Sequence, residues 1–126
     1  MLNLLVTRID QIQRRYGLPF LVESVVQLLP PYPQQRSDAA FLNALTEATG
    51  CGILLDVYNL RCDEANNGLD LSAFLDQVAL ERVAEIHVAG GVRSEGVMLD
   101  VHSRPPPKKR WTWRTSSLPG RPRSAR

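Results

Sequence analysis

The 126-residue chain has a formal net charge of +2, a value that averages two unlike regions. Residues 1–102 hold all 13 acidic residues and seven basic ones, for a net charge of −6, whereas residues 103–126 hold eight basic residues and no acidic one. The length suits one small domain, and the apolar content of 44% is ordinary for a globular protein.

Several classes of protein are excluded by this composition. No apolar run approaches the roughly 20 residues of a membrane-spanning helix, and the first residues lack the basic segment of a signal peptide. Two cysteines are too few for a disulfide-stapled fold. We expect Cys51 to pack beside a strand and Cys62 to lie in a polar loop as a free thiol. A reducing, cytoplasmic location is the resulting prediction.

The first half of the chain predicts two helices on either side of a strand. Apolar residues recur at helical spacing before Gly17, and a second helix can be capped by Ser37 or Asp38 and ended by Gly50. The predicted elements are a helix at 2–16, a strand at 18–23, a proline-rich loop at 24–35 and a helix at 39–49.

The second half begins with a continuous apolar run, residues 52–56, that is typical of a strand buried on both faces. Asp70 or Ser72 can cap the next helix. The predicted elements are a strand at 52–56, a polar loop at 58–69, a helix at 71–79, a strand at 83–89 and, after a loop, the segment 99–102. Successive strand–helix–strand units predict a parallel sheet of three strands, an α/β fold.

Polar residues with metal-binding side chains stand where these strands end. Glu23, Asp56 and His87 end the three predicted strands, although packing alone would favour Val or Ile at such positions. Asp100 and His102 follow on the next segment, two residues apart, so that both could face one ion. Because the carboxyl ends of parallel strands meet at one edge of the sheet, we expect these side chains to form a metal site.

The donor types indicate which ions fit. Carboxylates and imidazoles without thiolates suit iron, manganese or zinc rather than a structural zinc site. Considered singly, a histidine at a strand end is more often a hydrogen-bonded core residue. Asn59 is a further candidate ligand, with an Asx turn leaving the strand as the equal alternative.

Four motifs in order resemble the multinuclear non-heme iron-dependent oxidative enzymes, a family that includes the methanobactin biosynthesis oxidase. These motifs are Leu54-Leu55-Asp56-Val57-Tyr58-Asn59, Asn66-Asn67-Gly68-Leu69-Asp70, Glu85-Ile86-His87-Val88-Ala89-Gly90 and Leu99-Asp100-Val101-His102. The resemblance implies a TIM barrel that binds two or three irons and uses oxygen to modify ribosomally made precursor peptides. It also implies metal ligands at Glu23, Asp56, His87, Asp100 and His102, and a peptide-recognition partner protein.

The chain also departs from this family. Ser24 stands where the family usually has Asn, and Gly91 where it often has His. A complete barrel needs about 250 residues and eight strands, so we expect residues 1–104 to form a partial barrel. Residues 105–126, rich in Pro and Arg, are predicted to be a disordered basic tail outside the family likeness. A truncated or frameshifted product, inactive alone, is the expectation.

Two other functions fit parts of the sequence. A sugar isomerase or endonuclease of the TIM-barrel type would also place carboxylates and histidines around divalent metals, but without the motifs quoted above. The basic tail, with Trp111 and Trp113 beside Lys108, Lys109 and Arg110, has the charge and stacking groups of a nucleic-acid-binding segment. A solvated tail is the more ordinary interpretation.

Overall fold

The computed structural model describes residues 1–29 and 35–105 of the chain. Its elements in order are α1 (Leu2–Tyr16), β1 (Leu21–Glu23), α2 (Asp38–Thr49), β2 (Gly52–Asp56), α3 (Val57–Asn67), α4 (Leu71–Gln77), a 3₁₀ turn (Leu80–Arg82), β3 (Val83–His87), β4 (Gly90–Ser94) and β5 (Val97–Arg104). No helix within these ranges is long and apolar enough to cross a membrane.

The strands β1, β2 and β3 form a parallel sheet in that order, which confirms the α/β prediction. Glu23 pairs with Leu54, and Asp56 pairs with His87. Side chains alternate along a strand, so this register places all three polar strand ends on one face of the sheet. A partial barrel is compatible with this arrangement.

The helix ends follow the local sequence closely. Ser37 is the N-cap of α2 and accepts a hydrogen bond from the Ala40 N–H at 3.3 Å. Asp70 is the N-cap of α4 and accepts from the Ala73 N–H at 3.0 Å. Both caps satisfy N–H groups that the first helical turn leaves without partners.

The core lies between the sheet and the helices on its other face. Ile53 and Leu55 of β2 are buried there, and they pack with residues of α2, α3 and α4. This cluster consists of Ala39, Leu42, Ile53, Leu55, Leu60, Phe74 and Val78. A second cluster, of Ile9, Leu45 and Cys51, holds α1 against α2. Cys51 is buried, as its position beside a strand predicts.

The polar loop expected at residues 58–69 is a helix instead. Helix α3 begins directly after β2, with Asp56 as its N-cap, and ends before Gly68, whose φ of 71° is left-handed. Its polar side chains bond to segments more than 30 residues away in sequence, which local pattern cannot show. Cys62 is a free cysteine, as expected, but it is fully buried in this helix, so the expectation that it lies in a loop is wrong.

Residues 90–104 form an antiparallel hairpin in which β4 pairs with β5. The segment 99–102 was expected to follow a loop, but it belongs to β5. The turn lies at Glu95 and Gly96, both with positive φ. The predicted basic tail, including Lys108, Lys109, Arg110, Trp111 and Trp113, lies beyond the described residues except for Pro105.

Candidate metal centre

The carboxylate of Asp56 is the centre of the site. It is fully buried at the end of β2, and its Oδ1 accepts hydrogen bonds from the N–H groups of Tyr58 (2.7 Å) and Asn59 (2.9 Å). These bonds start α3. Its Oδ2 is also buried but has no hydrogen-bond partner among the described residues. Burial of an unsatisfied polar atom costs free energy, so such an atom calls for an explanation.

A first group of ligand-type side chains lies at the ends of the parallel strands. Glu23, Asp56 and His87 each offer a ligand atom, and these atoms lie within 4.8 Å of one another. The three residues come from β1, β2 and β3. The parallel sheet therefore brings together the three strand-end residues that the sequence predicts.

A second group shares Asp56 with the first. Asp56, Asp100 and His102 also have ligand atoms within 4.8 Å of one another. The Nε2 atom of His102 lies 2.5 Å from Asp100 Oδ2 and 3.8 Å from Asp56 Oδ2. The backbone at His102 is left-handed, with φ 48°, and its N–H donates to Asp100 Oδ1 at 3.2 Å. Backbone in that region is uncommon outside glycine and gathers at functional sites.

The electrostatics of the two groups favour a cation. Burial, and then the nearby Asp56 carboxylate, raises the pKa of Glu23 above its usual value, while His87 and His102 act in the opposite direction. Carboxylates this close repel one another unless protons or cations intervene. The unpartnered Asp56 Oδ2, shared by both groups, is thus placed to bind a positive ion. The residues present fit a metal.

Asn59 is close to the site, and its side chain contacts the segment that carries Glu23. Its Nδ2 donates to Glu23 Oε1 at 3.3 Å and to the backbone oxygen of Ser24 at 3.1 Å. An Asx turn does form at the end of β2, but the side chain that makes it belongs to Asp56. In this structure Asn59 orients Glu23, and its candidacy as a ligand stays a prediction.

Glu85 is a neighbour of the site that the sequence reasoning missed. Its Oε1 lies 2.9 Å from Nε2 of His87. Metal-binding histidines commonly bond to a carboxylate that fixes the ring orientation. The sequence could have indicated this contact, because Glu85 and His87 are two residues apart on a strand and therefore project to the same side.

Comparisons with known proteins match most of the chain to one family. A family model described as "RiPP precursor modification enzyme MbnB/TglH/ChrH" matches residues 1–119, and this range continues past residue 104, where we expected the likeness to end. RiPP denotes a ribosomally made and then modified peptide.

Several curated proteins are similar to the chain. A UPF0276 protein of Streptomyces avermitilis is 34% identical over 107 residues, which are 85% of the chain and 22% of that protein. One from Rhizorhabdus wittichii is 42% identical over 71 residues, 56% of the chain and 26% of that protein. One from Bordetella pertussis is 36% identical over 108 residues, 82% of the chain and 37% of that protein. The chain thus spans between about a fifth and two fifths of these relatives. With a family match over most of its length, the chain belongs to the MbnB/TglH/ChrH family of RiPP precursor modification enzymes.

Proposed function

We propose that this chain supplies part of the metal centre of an iron-dependent oxidase that modifies ribosomally made precursor peptides. Family membership supports the peptide as the substrate class. The observation that carries the metal centre is the buried Oδ2 of Asp56. Within residues 1–29 and 35–105 it has no hydrogen-bond partner, and Asp56 belongs to both groups of ligand-type side chains.

Each of the two groups would hold one ion. Glu23, Asp56 and His87 would bind the first, and Asp56, Asp100 and His102 the second, so that Asp56 lies between them. When bound, iron would supply the electron-transfer chemistry with oxygen that no side chain here provides. The donor set suits manganese and zinc as well, which makes metal identity a measured outcome.

The protein's own contribution is to bind and orient. Asn59 directs Glu23 through its Nδ2, and Glu85 contacts the ring of His87. The N–H groups of Tyr58 and Asn59 hold one oxygen of Asp56, which leaves the other for the ion.

The chain supplies fewer donors than a complete centre needs. Two ions with about six ligands each would require about twelve donor atoms, and the five side chains offer at most two oxygens or one nitrogen apiece. The His102 and Glu85 side chains are also more than half exposed. The remaining ligands would come from water, from the peptide or from further protein segments. We therefore propose weak or no peptide oxidation by the 126-residue chain alone.

Anaerobic metal loading tests this function. Purified chain is titrated with ferrous iron, manganese and zinc, bound metal is counted, and oxygen uptake is followed with and without a cysteine-containing precursor peptide. We expect iron binding that depends on Asp56 and little oxygen uptake. Metal binding unaffected by loss of Asp56 would refute the centre, and rapid peptide-dependent oxygen uptake would refute the inactivity of the chain alone.

A further inference from the structure

Helix α3 carries the motif Asn66-Asn67-Gly68, to which neither group of ligands assigns a role. The helix begins at Asp56, the shared member of the two groups, and ends at this motif. Its polar side chains contact two segments, one that follows Glu23 and one that precedes Asp100. These contacts connect the motif to both sides of the candidate metal centre.

The first contact is with the segment after β1. Asn67 Nδ2 donates to the backbone oxygen of Gln27 at 2.6 Å, and Asp63 Oδ1 accepts from the Gln27 N–H at 2.7 Å. Both backbone groups of Gln27 are thereby held. Asn59, Asp63 and Asn67 are spaced four residues apart, so they lie on one face of the helix, and Asn59 holds Ser24 in the same way. The segment that follows Glu23 is anchored along this face.

The second contact is with the hairpin. Asn66 Nδ2 donates to the backbone oxygen of Met98 at 2.9 Å, and Asn66 Oδ1 accepts from the Met98 N–H at 2.8 Å. One side chain thus occupies both backbone groups of a residue that lies two positions before Asp100. Met98 also packs against Tyr58 and Cys62 of α3. The hairpin that carries Asp100 and His102 is fixed to the helix at this point.

We propose that Asn66 and Asn67 are positioning residues for the metal centre, each responsible for a different set of ligands. Asn67 holds the segment that carries Glu23, and Asn66 holds the hairpin that carries Asp100 and His102. Helix α3 thereby keeps both sets at a fixed distance from Asp56. The metal part of this assignment rests on the proposed function, whereas the positioning part concerns the metal-free chain as well.

The chain offers a matched control in Asn43. Its Nδ2 donates to the backbone oxygen of Gln77 at 2.8 Å, and its Oδ1 accepts from the Ala79 N–H at 2.8 Å. These are the same two kinds of bond that Asn66 makes with Met98, although Asn43 makes them with two residues. They join α2 to the segment at the end of α4, which carries none of the candidate ligands. Asn43→Ala therefore removes two similar hydrogen bonds without changing the candidate metal centre.

The first experiment measures amide hydrogen exchange in the full, metal-free chain. We expect Asn66→Ala to speed exchange at Met98 at least tenfold and to leave Gln27 unchanged. Asn67→Ala frees the backbone oxygen of Gln27, but Asp63 still accepts from the Gln27 N–H, so we expect exchange at Gln27 to rise by a smaller factor and exchange at Met98 to stay unchanged. For Asn43→Ala we expect faster exchange at Ala79 alone. The variant Asn66→Asp keeps the acceptor for the Met98 N–H and should restore part of its protection. Unchanged exchange at Met98 in Asn66→Ala would overturn the proposal.

The second experiment uses cobalt(II) as a paramagnetic probe of the two groups. In the unaltered chain and in Asn43→Ala, we expect the imidazole NMR signals of both His87 and His102 to broaden. In Asn66→Ala the broadening should persist at His87 and fall at least tenfold at His102. A general loss of stability would reduce the broadening at His87 and His102 equally, and that result would refute the positioning role of Asn66. If the unaltered chain bound no cobalt, the proposed function would fail, and the exchange pattern would still decide the positioning role.

Discussion

Replacement of Asp56 separates the two functions of its carboxylate. Asp56→Asn keeps an oxygen that can accept from the N–H groups of Tyr58 and Asn59, but it replaces the unpartnered Oδ2 with an amide. Asp56→Ala removes both. Loss of a helix N-cap costs about 0.5–2 kcal/mol. In the metal-free chain, we therefore expect the free energy of unfolding to fall by about 1–2 kcal/mol for Asp56→Ala and by less than about 0.5 kcal/mol for Asp56→Asn.

Although Asp56→Asn should change the stability of the metal-free chain little, it should weaken metal binding strongly, because both groups share this residue. Loss of a residue that only contacts a metal ligand weakens metal affinity by 10–100-fold. For Asp56→Asn, which alters a ligand itself, we expect metal affinity to fall by at least about 100-fold. At a metal concentration 100 times the dissociation constant, binding stabilises the unaltered chain by about 2.7 kcal/mol per ion. A site weakened 100-fold would give only about 0.4 kcal/mol at the same concentration.

Thermal unfolding with and without metal measures both quantities. For a domain of this size, 1 kcal/mol corresponds to about 4–8 °C in Tm, so the metal-induced shift should fall from above about 10 °C to about 2–3 °C. Asp70→Asn is the matched control, because Asp70 also caps a helix but lies outside both groups. A metal-induced shift in Asp56→Asn equal to that of the unaltered chain would refute the assignment of Oδ2 as a ligand.

Three further predictions concern other parts of the chain. A Cβ at Gly91 would lie 1.9 Å from the Leu99 oxygen and 2.5 Å from the Tyr58 ring; by urea unfolding, Gly91→Ala should cost at least about 1–3 kcal/mol, and a smaller loss than that of Gly96→Asn would contradict the contact. Burial raises the pKa of Asp63 from 3.8 to about 6, so its protonated form stabilises the fold below about pH 4, and this contribution is lost as the pH rises through 6. Between pH 4 and 7 the free energy of unfolding should therefore fall by about 1–2 kcal/mol more than that of Asp63→Asn, after allowance for solvent screening. A difference between the two proteins that stayed constant with pH would refute this. Burial also raises the pKa of Cys62 to about 11, so iodoacetamide at pH 8 should leave this thiol unmodified until urea unfolds the chain. Mass spectrometry would show the modification, and rapid labelling of Cys62 in the folded chain would contradict its burial.

The parallel sheet and its strand-end residues were predictable because they depend on local pattern. A continuous apolar run marks the buried strand β2, and the ends of the three strands coincide with Glu23, Asp56 and His87. Parallel pairing follows from the intervening helices. Whether these residues bind metal is a separate question, for which the unpartnered Oδ2 of Asp56 is evidence that no sequence pattern contains.

Helix α3 was not predictable in the same way. Many of its residues are polar, and Asn66, Asn67 and Gly68 at its end resemble a loop. The helix is favoured instead by a cap from Asp56 and by bonds to Gln27 and Met98, which are more than 30 residues distant. The cap was a local signal that could have been used. The partners at Gln27 and Met98 become visible only when the sheet has fixed where these segments lie.

The hairpin was missed for a simpler reason. Neither strand has an alternating pattern of apolar and polar residues, and Glu95-Gly96 is not one of the residue pairs that mark a two-residue hairpin turn. The structure shows that both residues of this turn have positive φ. Asp100 and His102 were nevertheless placed correctly relative to each other, since both lie on one segment.

The order of the ligands along the chain has a consequence for biosynthesis. Glu23, Asp56 and His87 are all present once the ribosome has added residue 87, whereas the second group waits for residue 102. At 5–20 residues per second this interval is roughly 1–3 s. A released chain that ends at residue 90 would carry the first group without the hairpin, so on the proposed function it should retain one ion rather than two. A released chain that retained as many ions as the finished chain would show that the two groups do not fill in sequence.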